Sequence, residues 1–167
     1  WQHWFTGKIG SVLGGASLMA LVIMQWIPII SRDTAQNAKD LRNGIPVHKY
    51  QAAAQWLAEN GTPNTKVLHS DWDDFPSLFY YDSNHAYMAG LDPTFMYRYN
   101  QDLYWLWVHI TTGEYEGDMD SALTTLDVAY IVIERDHAAM RQLIEQSSRV
   151  ERVYHDAEVD IFAVINN

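Results

Sequence analysis

The residue types best suited to chemistry fall in one stretch, positions 69–97, which reads HSDWDDFPSLFYYDSNHAYMAGLDPTFMY. Asp71, Asp73 and Asp74 crowd around Trp72, and Asp92 follows Gly90 and Leu91. Carboxylates are hard oxygen ligands. Asp71, Asp73, Asp74 and Asp92, with His69 nearby, therefore form a candidate site for a hard cation such as Ca2+. The same groups can act as a general base toward a bound substrate, or recognise a polar ligand. A structural reading stands beside these: Asp74 precedes Phe-Pro and Asp92 precedes Pro-Thr, and both positions suit helix N-caps. No metal-ligand set is assigned on these residues. The aromatics of the region, Trp72 and Tyr97 among them, can stack on a sugar, or they can fill a core or a protein interface. The candidate ligand- or partner-contacting set is thus Asp71, Trp72, Asp73, Asp74, Asp92 and Tyr97.

Other chemistry lacks its motifs. The chain has no Cys, which excludes disulfides, thiolate catalysis and Cys-ligated metal. It has no GxGxxG, P-loop, GxSxG or HExxH. Its seven His are scattered without ligand spacing. No catalytic residue is assigned.

The elements that position these residues can be read from pattern. Positions 47–60 are amphipathic, with Tyr50, Ala53, Ala54 and Leu57 on one face and Gly61 as a stop. Positions 65–70 predict a strand, and 75–81 a short helix with Asp73 or Asp74 as N-cap and Pro76 in its first turn. Positions 86–89 predict a second strand. Asp92-Pro93-Thr94 opens a helix expected to reach position 110. The apolar run 128–133 predicts a central strand buried on both faces. A helix over 136–146 and a strand pair over 150–154 and 159–164 complete the chain. Strands alternating with helices predict an α/β, Rossmann-like three-layer domain, its sheet mainly parallel with a C-terminal antiparallel hairpin. In such a sheet ligands bind beyond the carboxyl ends of the strands, which is where Asp71–Asp74 and Asp92 fall.

Ahead of this domain, positions 9–30 (IGSVLGGASLMALVIMQWIPII) form an uncharged run of 22 residues, and about 20 suffice to cross a bilayer as a helix. Trp1, Trp4, Phe5 and Trp26 lie where interfacial aromatic belts fall, and Lys8 and Arg32 bracket the run. The run exceeds the usual apolar region of a cleaved signal peptide. Gly10, Gly14 and Gly15 form a small-residue face suited to contact with another membrane helix. The expected organisation is a transmembrane anchor over 1–32, a stalk over 33–46 and a soluble domain over 47–167. The chain starts with Trp rather than Met, so further helices upstream are an open expectation.

The formal net charge is −10. Between Tyr50 and Glu134, 13 acidic residues face only Lys66 and Arg98, a local net of −11. That balance argues against nucleic acid as a partner, because binding it calls for Lys and Arg to displace phosphate counterions. The acidic balance also opposes peripheral adsorption to anionic lipid. The excess is a solvated surface or a face for a cation or basic partner.

The segments DWDDFP (71–76) and GLDPT (90–94) resemble the C-terminal soluble domain of bacterial polytopic membrane proteins of the GT-C glycosyltransferase type. The resemblance covers about 47–133, with the anchor as the last membrane helix. In that family the catalytic carboxylates belong to a loop between the first membrane helices, a loop this chain lacks, so no catalytic role carries over. The resemblance implies an extracytoplasmic (periplasmic) domain at the bacterial inner membrane. The distribution of Lys and Arg around the anchor implies the opposite side, and the resemblance outweighs it where upstream helices are uncounted. Two functions are expected. One is an anchored accessory or scaffolding subunit of a larger membrane complex, a photosynthetic or respiratory one being a natural host. It would contact membrane-protein partners through its helix and its aromatic surface. The other is the substrate-recognition domain of a GT-C-type enzyme using lipid-linked sugar.

Overall fold

The computed structural model describes Met24, Pro46 and residues 48–165. The chain divides into two units, Trp1–Pro46 and Val47–Asn167, and the fold below is that of the second. Among the described residues no helix is long and apolar enough to cross a membrane. The expected anchor over 9–30, with Gly10, Gly14 and Gly15, lies outside them except for Met24, a helical residue.

Helix α1 (Gln51–Asn60) leads to strand β1 (Lys66–His69), a 3-10 turn (Trp72–Asp74) and helix α2 (Phe75–Tyr81). Strand β2 (Ala86–Tyr87), helices α3 (Thr94–Tyr99), α4 (Gln101–Thr112) and α5 (Met119–Leu126), and strand β3 (Tyr130–Glu134) follow. Helix α6 (Ala138–Ile144) and strands β4 (Val150–His155) and β5 (Val159–Val164) end the domain.

The sheet has the order β2-β1-β3-β5-β4. β1 pairs in parallel with β2 and β3, whereas β5 is antiparallel to both β3 and β4. The expected α/β class is therefore met. The sheet is evenly mixed, because the second hairpin strand inserts between β3 and β4 instead of adding at the outside.

Alternation along each strand sends side chains to two cores. Leu68, Ile131, Ile133 and Phe162 pack on one face with Trp107, Leu123 and Met140 from α4, α5 and α6. Val67, Val132 and Ile161 pack on the other with Ala53, Leu57 and Leu78 from α1 and α2. Helices thus cover both faces, and the central strands are apolar throughout for that reason.

Local chemistry sets the element ends. Tyr50 precedes α1 in the left-handed region at φ 65°, so the helix begins at Gln51 and not at 47 as expected. Asn100 breaks the expected long helix into α3 and α4: its backbone is extended, and its side chain accepts from Leu103 N–H. Helix α5 lies outside the elements expected from the sequence, although Met119, Ala122, Leu123 and Leu126 recur at helical spacing and are all buried; Asp118 caps it by accepting from Ser121 N–H at 2.8 Å. Gly113 ends α4 at φ 76°, where a Cβ would lie 2.5 Å from Ala139 Cβ. Only glycine fits both the dihedral and the approach of α6.

Candidate functional site: two cavities at the carboxyl edge

From β1 the chain passes to α2 on one face; from β3 it passes to α6 on the other. β1 and β3 are adjacent and parallel, so the departing loops diverge and open a crevice between them, the position at which open α/β sheets bind ligands. A cleft of about 560 Å³ occupies this place. Ser70 and Asp71 line it after β1, Asp136 and His137 after β3, and Trp107 and Thr111 from α4.

Ser70 and Asp71, which line the crevice, are also part of a buried polar network behind it. Asp74 is 4% exposed. It accepts from the Tyr50 hydroxyl at 2.6 Å, the Ser70 hydroxyl at 3.1 Å and the Asp71 amide at 3.1 Å. Ser70 Oγ in turn accepts from the Glu134 amide at 3.0 Å, tying the loop after β1 to the end of β3. Burial and the Asp74 carboxylate push the Tyr50 phenol far above its ordinary pKa, so it stays a donor. The Tyr50 amide donates to a Glu158 carboxylate oxygen at 2.7 Å. Those two bonds and full burial hold its left-handed backbone, a conformation that costs a non-glycine residue about 1 kcal/mol or more.

His69 closes the loops from the sheet side. Its Nδ1 lies 2.6 Å from Asp71 O and its Nε2 2.8 Å from Ala89 O, joining the loops after β1 and β2. Burial lowers its pKa, while the two carbonyls and the neighbouring carboxylates oppose that.

The candidate residues are separated by this arrangement. Asp71, Trp72, Asp73 and Asp74 share one turn, where the Asp71 and Asp74 side chains form a reciprocal capping box. Partial loss of hydration, then the neighbouring Asp71 and Asp74 charges, raise the carboxyl of the exposed Asp73 above its usual range. Asp71 lines the cleft, whereas Asp92 lines a different cavity. Asp92 accepts from Thr94 N–H at 2.9 Å, and the Thr94 hydrogen bonds hold its carboxyl below the usual range. Tyr97 packs edge-on against Tyr104, centroids 5.2 Å apart. Among the described residues, the His and carboxylate atoms that converge within 4.8 Å are those of Glu134, Asp136 and His137. Lys49 already pairs with Glu134 at 2.5 Å, which supplies that group with a positive charge from the chain itself.

The second cavity is an apolar groove of about 720 Å³ at the β2 edge of the sheet. Phe75, Met88, Leu91, Phe95, Met96 and Tyr99 line it, with Asp92 at its polar side. Phe75 stacks on Phe79 with centroids 5.3 Å apart. Phe95 is 73% exposed and Tyr99 86%, so the aromatic content of this region lies mostly on the surface. Trp107 is the exception, buried in the core.

Sequence reading missed Tyr50 and Ser70 as partners of Asp74 and Glu134 as a partner of Ser70; Tyr50 lies 24 positions from Asp74 and Glu134 lies 64 from Ser70, so both meet their partners only through the fold. It also passed over the buried Asp160 and the basic residues around it. A lone Asp inside an apolar strand, VDIFAV, was the available signal.

Compared with family models, curated proteins and solved structures, the chain has no match.

Proposed function

We propose that this chain is an anchored accessory or scaffolding subunit of a larger bacterial inner-membrane complex, with its α/β domain on the periplasmic side. In this reading it descends from a GT-C-type glycosyltransferase-like protein. One observation carries the docking role: the apolar groove at the β2 edge is flanked by Phe95 and Tyr99 with most of their surface exposed. Monomeric soluble proteins rarely leave such contiguous aromatic area in water, and aromatic anchors are what protein interfaces enrich. The uncharged run over 9–30 supports the anchor. The DWDDFP and GLDPT segments support the descent.

Purification in mild detergent, with mass spectrometry of all co-purifying chains, tests this. A stoichiometric set of membrane-protein partners is expected. The double variant Phe95→Asp/Tyr99→Asp is expected to lose them at an unchanged melting temperature. Retention of the same partners by that variant refutes the docking surface.

A second reading keeps the same groove for a glycan. Aromatic faces beside a carboxylate suit a sugar, and Asp92 lies beside Phe95 and Tyr99. The chain would then be the substrate-recognition end of a longer GT-C-type enzyme. A single long polypeptide of many spans, with no partner, favours it.

A further inference from the structure

Asp160 is the one buried carboxylate on β5, 1% exposed, inside an otherwise apolar strand. Around it gather Arg141 Nε at 2.8 Å, His155 Nδ1 at 2.7 Å, Arg152 Nη1 at 3.6 Å and Arg135 Nη1 at 3.9 Å. Three guanidinium groups thus converge on a single negative charge, in a chain whose net charge is −10. A cluster meant only to neutralise Asp160 needs one of them.

The bonds separate a frame from a surplus. Arg141 forms an ion pair with one Asp160 oxygen, its Nε out of line for a hydrogen bond, and its Nη2 donates to the Glu134 and Arg135 carbonyls, both at 3.1 Å. His155 takes the other oxygen. Asp160 is then engaged at both oxygens. Arg152 is too far away for a hydrogen bond to it and has no other acceptor among the described residues. Arg135 Nη1 lies 2.8 Å from His155 Nδ1. That nitrogen cannot donate to Asp160 and also accept from Arg135, so when His155 serves Asp160 the acceptor open to Arg135 Nη1 is Nε2, 3.3 Å away, and the remaining guanidinium donors of Arg135 have no acceptor among the described residues. Both surplus groups are about half exposed.

Nearby carboxylates do not answer them. Glu134 pairs with Lys49, Glu158 accepts from the Tyr50 amide, and Asp136 lies beside His137. Glu151 pairs opposite Ala163 and so alternates to the other face from Arg152, which pairs opposite Phe162. The location is also apt: Arg135 follows β3 and His155 ends β4, at the carboxyl edge of those strands.

We infer that Arg135 and Arg152, held in place by the Asp160–Arg141–His155 frame, bind a phosphate group. Guanidinium forks bind oxyanions with paired N–H donors, and two forks from separate segments, the loop after β3 and strand β4, match a tetrahedral anion better than a planar carboxylate, which one fork saturates. The phosphate can be inorganic, a monoester, or the diester of a lipid headgroup, all of which present the same oxygens.

The test uses the full chain in a neutral detergent, titrated with inorganic phosphate and, separately, with soluble glycerophosphoglycerol. Chloride holds the ionic strength constant. A saturable rise in melting temperature is expected with at least one of them. Each single variant, Arg135→Gln or Arg152→Gln, is expected to weaken binding about tenfold or more, and the double variant to abolish it. Arg98→Gln, which removes an equal charge elsewhere, retains the rise. If the double Gln variant does not fold, Arg135→Lys/Arg152→Lys keeps the charge and removes the forks, and is expected to weaken binding at an unchanged starting melting temperature. Tighter binding of the diester assigns the site to a headgroup; tighter binding of inorganic phosphate assigns it to a free ion or monoester. No saturable rise with either compound, or an equal rise in the double variant, overturns the inference.

Discussion

Replacing Tyr50 by Phe removes one oxygen and leaves the ring in its core position. The lost group is the donor 2.6 Å from the buried Asp74 carboxylate. A hydrogen bond to a charged acceptor contributes about 1.5–3 kcal/mol, and the phenyl ring leaves no cavity large enough to add much. A loss of about 2 kcal/mol follows. For a domain of roughly 120 residues this lowers the melting temperature by about 6–10 °C. Asp74→Ala is expected to cost more, about 3–4 kcal/mol, because it strands the Tyr50 and Ser70 hydroxyls and the Asp71 amide in a dry site. In the Asp74→Ala background the Tyr50 hydroxyl has lost its acceptor, so adding Tyr50→Phe costs almost nothing. The cycle therefore shows a coupling of about 2 kcal/mol. The sign with pH follows from the raised phenol. Its contribution is complete below the unfolded tyrosine value, about pH 10, and is lost as pH rises above it, because only the unfolded chain ionises there. Thermal unfolding of the full chain, followed by near-ultraviolet circular dichroism at about pH 7 and up to about pH 11, measures all of this. Additive effects of the two substitutions, or a drop under about 2 °C for Tyr50→Phe, would refute the account of the network.

Three further outcomes follow from other parts of the domain. Gly113→Ala is expected to lower the melting temperature by several degrees, because a Cβ there meets Ala139 at 2.5 Å in a left-handed backbone; Gly90→Ala, with open space around it, is the matched control. Asp160→Ala is expected to destabilise by about 3–5 kcal/mol, since it strips the buried counter-charge from Arg141, and a change under about 1 kcal/mol in urea unfolding would show that the cluster is not held by Asp160. Asp73→Asn is expected to raise stability slightly at neutral pH. The Asp73 carboxyl is raised, so its ionisation disfavours the fold above its own pKa, and acid relieves this. Solvent screening limits the gain to a few tenths of a kcal/mol. The difference between Asn and Asp should vanish below about pH 4, and a gain that persists there would exclude the charge as its cause.

The amino-acid pattern by itself determined the α/β class, most of the helices and strands, and the face of α1 that is buried. Tyr50, Ala53, Ala54 and Leu57 recur at helical spacing and all enter the core, because a period of about 3.6 has one geometric solution. Positions 75–81 are helical as read, since Pro76 suits a first turn and no longer-range contact is needed to start it. The apolar run ending at Ile133 is central, as a continuous run must be when helices cover both faces.

Tertiary structure decided what the local pattern leaves equivalent. The same Asp residues can cap, ligate or catalyse, and only the fold shows that Asp74 is buried under Tyr50 and that Asp71 and Asp92 line separate cavities. The insertion of β5 beside β3 depends on sheet pairing, which hydrophobicity does not encode for a hairpin that can dock by either strand. The Arg135, Arg141, Arg152 and His155 cluster is scattered over 21 positions of sequence and closes on Asp160 only through β-pairing and the return of α6. Charge–charge contacts of that kind carry no periodic signature, since their range is set by distance in space and not along the chain.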